Sequence, residues 1–287
     1  MSGESRHLGR GFGIAALGVA LALTGCRSEP GKGNASARPA QSSSAAAAVD
    51  PRVIKEIQVP RAVSGGIAID GRLDEPAWAK AASTGAFVDV STGRENAGQP
   101  TQGEARLLWD DQFLYVGFEV KDRQVHGGFP KDAKDPHLWD RDTVEMMIDP
   151  DGDGDNKDYY EVQVNPQNLV FDTQYDDYNA PNGNGRGPYG HEEWSAGLQS
   201  AVVVHGTIDD DSDVDQGYTV ELKLHWVSLT KAHKAPPSPG DAWRMNFYAM
   251  KNNGGVAWSP ILRMGNFHRA SRFGRVRWVE SPTRDAP

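Results

Sequence analysis

Only one cysteine, Cys26, occurs in the 287 residues, so no disulfide can form within the chain. Packing, or packing plus a metal, must hold the fold together. Positive charge is scarce: 30 Lys and Arg stand against 39 Asp and Glu, a formal net charge of −9. A nucleic-acid partner is excluded on that ground, because a phosphate backbone needs a basic footprint. The balance suits a neutral ligand, or one bound through a cation. The chain also lacks HExxH, G-x-S-x-G and P-loop motifs, which removes the common metalloprotease, hydrolase and nucleotidase readings. His191-Glu192-Glu193 has no second histidine at metal spacing. After residue 53 there is no sustained helical period.

What is present is turn chemistry and alternation. With 32 Gly and 18 Pro the chain favours many short strands over long helices. The most informative stretch is WDRDTVEMMIDPDGDGDNKDYYEVQVN, residues 139–165. Val144, Met146 and Ile148 alternate with Thr143, Glu145, Met147 and Asp149. Tyr160, Val162 and Val164 alternate with Tyr159, Glu161, Gln163 and Asn165. A period of two predicts a hairpin with one apolar face against a core. The other face carries Glu145, Glu161, Gln163 and Asn165, side chains that bond hydroxyl groups, with Trp139 at its edge. This pattern describes a solvated outer sheet face or the seat of a sugar. Trp139 by itself reads equally as a core residue, and Phe267 as a loop anchor.

The N-terminal region has a different character. Arg6 and Arg10 precede the apolar run GIAALGVALALTG, which ends at Cys26 and is too short and too rich in Gly and Ala for a stable membrane span. Its end, LTGC, resembles the bacterial lipobox. That resemblance implies a lipoprotein signal over residues 1–26, acylation of Cys26 and a membrane anchor. Arg27, in place of aspartate, points by the same analogy to the outer membrane or cell surface. Residues 27–52 are Ser-, Ala-, Gly- and Pro-rich and read as a flexible tether.

From residue 53 to 280 the pattern predicts one all-β domain, an antiparallel β-sandwich of jelly-roll type with about a dozen short strands and one or two short helices. Residues 281–287 form a tail. Hairpins are expected at EARLLWD/FLYVGFEV and WSAGLQSAVVV/GYTVELKLHW. In the second, Val220, Leu222 and Leu224 face in, and Thr219, Glu221 and Lys223 face out. Asp74 is placed to cap a short helix that buries Trp78. Residues 178–193 read as a long surface loop.

Five segments, IDGRLDEPAWAKA, ARLLWDDQFLYVGFEVKD, WDRDTVEMMID, GYTVELKLHW and SRFGRVRW, stand in the order and spacing of carbohydrate-binding module family 9. The resemblance covers residues 53–280. It implies a sandwich that binds oligo- or polysaccharide without catalysis, with a sugar ring held between two aromatic side chains that match Trp139 and Phe267. It implies polar contacts from positions matching Glu145, Glu161, Gln163 and Asn165. The second aromatic is Phe here where the family has Trp, and a basic clamp residue of the family matches neutral Gln163. Such a module supports polysaccharide capture or breakdown at the cell envelope, beside a separate glycoside hydrolase.

Asp149, Asp151, Asp153, Asp155 and Asp158 crowd the hairpin loop, and a calcium ion would relieve their repulsion. The spacing resembles a D-x-D-x-D-G loop but misses its closing Glu by one residue. Other functions remain open from the residues. One is a haem-binding electron-transfer sandwich with Met147, Met250 or a His as axial ligands. Another is an adhesion or scaffold module stiffened by calcium. The last is a glycosidase using Glu145 and Glu161 as its carboxyl pair.

Overall fold

The computed structural model describes residues 50–95, 98–179 and 190–281. The lipobox, Cys26, nearly all of the 27–52 tether, the centre of the 178–193 loop and residues 282–287 lie outside the described residues. In chain order the strands are β1 (Glu56–Pro60), β2 (Ala82–Ser83), β3 (Val88–Asp89), β4 (Thr101–Trp109), β5 (Phe113–Asp122) and β6 (Thr143–Asp149). They continue with β7 (Lys157–Val164), β8 (Val170–Asp177), β9 (Gln199–His205), β10 (Gly217–His225), β11 (Ala242–Lys251), β12 (Gly254–Ala257) and β13 (Gly274–Val279).

Two sheets form. The first runs β1-β13-β11-β6-β7-β8, with β12 and β3 added beside β11; the second runs β2-β4-β5-β10-β9. Every pairing between strands is antiparallel except that of β1 with β13. The observed fold is therefore the antiparallel sandwich that the alternation predicts. Val144, Met146, Ile148, Tyr160, Val162 and Val164 from the first sheet meet Leu107, Leu114, Val116, Phe118, Val220, Leu222 and Leu224 from the second. At one end Trp109, Trp226, Trp243 and Trp278 pack edge to face at 5.4–5.9 Å between ring centres. Burial of such large apolar rings is the main favourable term available to a chain without cross-links.

Two expectations are corrected. Among the described residues the helical segments are all short 3-10 turns, and the turn Trp78–Lys80 follows Ala77 with no side-chain cap. Asp74 does not cap it. The segment is fastened instead by Glu221, which accepts from Asp70 N (2.8 Å), Gly71 N (3.0 Å) and Trp78 Nε1 (3.0 Å). Glu221 faces away from the main core, as alternation requires, yet it is fully buried. Residues 62–81 cover that face with a small second core of Ile67, Trp78, Leu108 and Tyr115. A buried carboxylate is tolerated there because three N–H groups replace its water.

The outer face of the first sheet is covered in the same manner. Met147, Tyr159, Tyr175, Tyr248, Met250, Ile261 and Phe273 form a further apolar cluster over it. The polar side of the β6–β7 hairpin is therefore not a solvated surface. Glu145 and Glu161 are each 2% exposed, Gln163 is 1% exposed and Asn165 is 0% exposed.

Candidate functional site

Strand register sets the floor of the site. Tyr248, Glu145, Gln163 and Phe171 form one row across β11, β6, β7 and β8; Met147, Glu161 and Thr173 lie in the next. On one face of a sheet such neighbours stand within side-chain reach. Gln163 Nε2 donates to Glu145 Oε2 (3.1 Å) and to Glu161 Oε1 (2.6 Å). Tyr175 Oη donates to Glu161 Oε2 at 3.0 Å. Among the described residues Glu145 Oε1 and Gln163 Oε1 are buried with no hydrogen-bond partner.

The walls are aromatic. Trp139 sits on the 3-10 turn Leu138–Asp140, whose Leu138 is buried. Its ring stacks on His137 (4.3 Å, 18°) and meets Phe171 edge-on (5.1 Å, 86°). The backbone of this turn is held by the β11–β12 hairpin: Asn253 N donates to Trp139 O (2.7 Å) and Asn252 N to Arg141 O (3.2 Å). Asn252 and Asn253 have φ of 51° and 60°, the pair of positive values that a two-residue hairpin turn needs and that Asn tolerates. Lys251, buried beside them, bonds Asp142, Asp122 and the carbonyl of Gln124, and so ties the start of β6 to both sheets.

Phe267 faces the site from residues 258–273, its carbonyl accepting from Tyr248 Oη at 2.9 Å. This stretch begins with a turn in which Met264 N donates to Ile261 O (3.0 Å), with Leu262 and Arg263 at φ of 54° and 60°. Left-handed Leu and Arg each cost roughly 1–2 kcal/mol, so strain is stored beside the site. His268 follows, stacked against Tyr178 (4.2 Å, 15°), with Nδ1 2.7 Å from Tyr159 Oη. Trp139, Phe267, Tyr175, Tyr178 and His268, with Glu145, Glu161, Gln163, Asn253 and Asn266, line one cleft of about 260 Å³.

The electrostatics of this cleft are unusual. Burial is the largest force on each carboxyl and favours its neutral form. Glu145 is pushed well above the ordinary glutamate range by burial and then by Glu161. Glu161 is pushed up to about 7 by burial, against the hydrogen bonds from Tyr175 and Gln163. Two carboxylates pinned to one amide nitrogen cannot both ionise without repulsion, so at neutral pH the pair retains a proton. His268 is driven down to about 3 by burial and is a neutral ring.

Five of the six expected ligand-binding residues thus meet at the cleft. Asn165 does not. It lies just past the end of β7, where its side chain accepts from Gln167 N (3.0 Å) and Leu169 N (2.9 Å) and shapes the β7–β8 turn. A short polar side chain at a strand end serves the unsatisfied turn amides rather than the face. Tyr175, Tyr178, Asn253, Asn266 and His268 were not legible as site residues. Asn253 carries a hairpin-turn signal, but nothing in the sequence shows that the turn borders Trp139. Met147 and Met250, two of the axial ligands expected for a haem, are buried in the apolar cluster and neither lines the cleft.

The acidic loop lies at the other end of the hairpin, about 13 Å along β6 from Glu145. Asp149, Asp151 and Asp153 bring carboxylate oxygens within 4.8 Å of one another. Asp149 accepts from Gly152 N and Gly154 N, both at 3.0 Å, and is pushed up to about 8 by burial and by Asp151. Asp155 and Asp158 stand apart from this group: Asp155 bonds Lys157 N, and Asp158 pairs with Lys231 at 3.4 Å.

Fold and site together define a two-sheet β-sandwich with a ligand-sized cleft on one outer face. The family model for the carbohydrate family 9 binding domain-like family matches residues 69–281, and the chain belongs to that family. Among curated relatives, exoglucanase XynX of Acetivibrio thermocellus is 27% identical over 178 residues, 61% of this chain and 13% of that protein. Endo-1,4-beta-xylanase A of Thermotoga maritima is 25% identical over 233 residues, 79% of this chain and 18% of that protein. The chain thus spans less than a fifth of the length of these relatives. Two solved structures share the fold. A carbohydrate binding module family 9 from Caldicellulosiruptor kristjanssonii, in complex with cellotriose, has a TM-score of 0.53 at 19% identity and covers 81% of this chain and 98% of its own. A putative carbohydrate-binding protein of Bacteroides uniformis has a TM-score of 0.58 at 16% identity, over 79% of this chain and 100% of its own.

Proposed function

We propose that this domain binds a saccharide in the cleft without cleaving it. The carrying observation is the pairing of aromatic walls, Trp139 and Phe267, with a buried floor whose Glu145 Oε1 and Gln163 Oε1 have no partner among the described residues. A pyranose supplies what such a cleft needs: C–H faces for the rings and hydroxyl donors for the acceptors. An unmet buried acceptor costs about 1–3 kcal/mol, so the floor selects ligands by hydroxyl position. The Caldicellulosiruptor modules of this fold were solved with cellotriose and with glucose, which supports the ligand class.

A binding role also follows from the carboxyl arrangement. Glycosidases place an acid and a second carboxyl on either side of the scissile bond. Glu145 and Glu161 instead lie on one floor, bound to one amide nitrogen. The domain holds glycan for an enzyme carried elsewhere, as expected of a relative of segments of an exoglucanase and a xylanase. The lipid anchor at Cys26 and the 27–52 tether belong to the same reading, and would display the domain at the outer membrane or cell surface. So does calcium: Asp149, Asp151 and Asp153 offer hard oxygen donors, and a divalent cation would offset the burial and the Asp151 contact that lift Asp149. The ion would stiffen the loop and take no part in sugar contact.

Calorimetric titration with glucose, cellotriose and xylotriose, in calcium, tests the reading. Saturable heat with at least one sugar, lost in Trp139→Ala, is the expected result. No heat with any of them, from a folded protein, would overturn it.

A further inference from the structure

Among the described residues the cleft floor carries two carboxyls and no cation to answer them. Glu145 and Glu161 are each 2% exposed, and a single neutral group, the Gln163 amide, links them. Among the described residues no Lys or Arg lines the cleft. The one basic ring lining it, His268, is half-buried with Nδ1 on Tyr159 Oη, and its Nε2 is 3.7 Å from Glu161 Oε2. Nearby Lys251 is committed to Asp122 and Asp142. The other ionisable neighbours, Tyr159, Tyr175 and Tyr248, are phenols that stay protonated at neutral pH, since burial and these same glutamates push them up.

We propose that the preferred ligand is a saccharide bearing a free amino group, with its ammonium seated at Glu145 and Glu161. The proposal rests on the reading of the cleft as a saccharide site and narrows it to one chemical class. A neutral sugar can give hydroxyl donors to Glu145 Oε1 and Gln163 Oε1, but it leaves the repulsion between the glutamates in place. An ammonium supplies three donors and the missing charge in the same volume. The walls favour it too, because the faces of Trp139, Phe267 and Tyr178 attract a cation as well as C–H groups. N-acetylation removes the charge, and a uronate brings a third negative charge to the floor. On binding, the ammonium replaces the proton that the pair otherwise holds, so one proton leaves to solvent.

The test is calorimetric titration of the full chain with three matched β-1,4 trisaccharides at pH 7 and low salt. These are cellotriose, the trimer of glucosamine and the trimer of N-acetylglucosamine. The expected result is that the amino trimer binds about tenfold more tightly than cellotriose, the difference between a charged and a neutral hydrogen bond. Its heat should vary with the buffer's ionisation enthalpy, reporting proton release. The preference should disappear in Gln163→Arg, which supplies a resident cation, and in Glu145→Gln, which keeps shape and removes charge. If cellotriose binds and the amino trimer binds no better, the cationic proposal is overturned while the saccharide reading stands. If none of the three binds the folded protein, the saccharide reading itself fails. A preference retained in both variants also overturns the proposal, because it would not originate at this floor.

Discussion

Replacing Glu161 by Gln should make the protein more stable at alkaline pH and no more stable at acid pH. Glu161 titrates near 7 in the folded chain, against an ordinary value of 4.5. Between those values the folded state holds a proton that the unfolded state has lost, so stability falls as pH rises across that window and stays low above it. At about 1.4 kcal/mol per pH unit, the full penalty is on the order of 3 kcal/mol. Gln removes it but gives up a charged acceptor. It keeps one oxygen for Gln163 Nε2 and turns its own amide to Tyr175 Oη, at a loss of about 1 kcal/mol. The net expectation is a gain of about 2 kcal/mol at pH 8 and a loss of about 1 kcal/mol at pH 4, below the unfolded value. Asp142, lifted to about 6, also titrates in this range, as does Asp149, so the readout is the difference between variant and parent in urea unfolding at each pH. A variant equally destabilised at both pH values would refute the argument, since the glutamate would then carry no burial penalty. The same substitution should weaken ligand binding, which is the usual tension between a binding site and the stability of its scaffold.

Three further outcomes are expected. Trp139→Ala should lower saccharide affinity at least about tenfold by titration, with only a modest change in melting temperature, because the ring is partly exposed. Glu221→Ala leaves Asp70 N, Gly71 N and Trp78 Nε1 without an acceptor, and should cost about 3 kcal/mol in urea unfolding, with faster amide exchange over residues 69–81. Calcium should raise the melting temperature, with a gain near 2.7 kcal/mol at a hundredfold excess over its dissociation constant, and Asp151→Asn with Asp153→Asn should abolish the rise. No shift with calcium in the parent protein would remove the metal from the account.

The strands were legible because alternation and turn residues agree along most of the chain. The β6–β7 hairpin is the clearest case: its core face and its polar face separate as the period of two dictates. What alternation cannot report is a third layer. Glu221 and Glu145 both read as outward, and both are outward with respect to the main core, yet each is buried because a distant loop lies over it. Those loops, residues 62–81 and 258–273, have no period to read. His268 sits on the second of them and Tyr178 just past the end of β8, and both reach the cleft only through long-range packing. Asn165 failed for the opposite reason, since its neighbours on the strand define a face that ends one residue before it.

The parallel pairing of β1 with β13 links Glu56 to Arg275 and Pro60 to Val279, partners more than two hundred positions apart. During synthesis the sheet stays open along that edge until β13 emerges. Val59 and Trp278, both buried at the junction, must wait for each other. The domain therefore cannot close before its last strand is made, and loop closure over such a span makes that step slow.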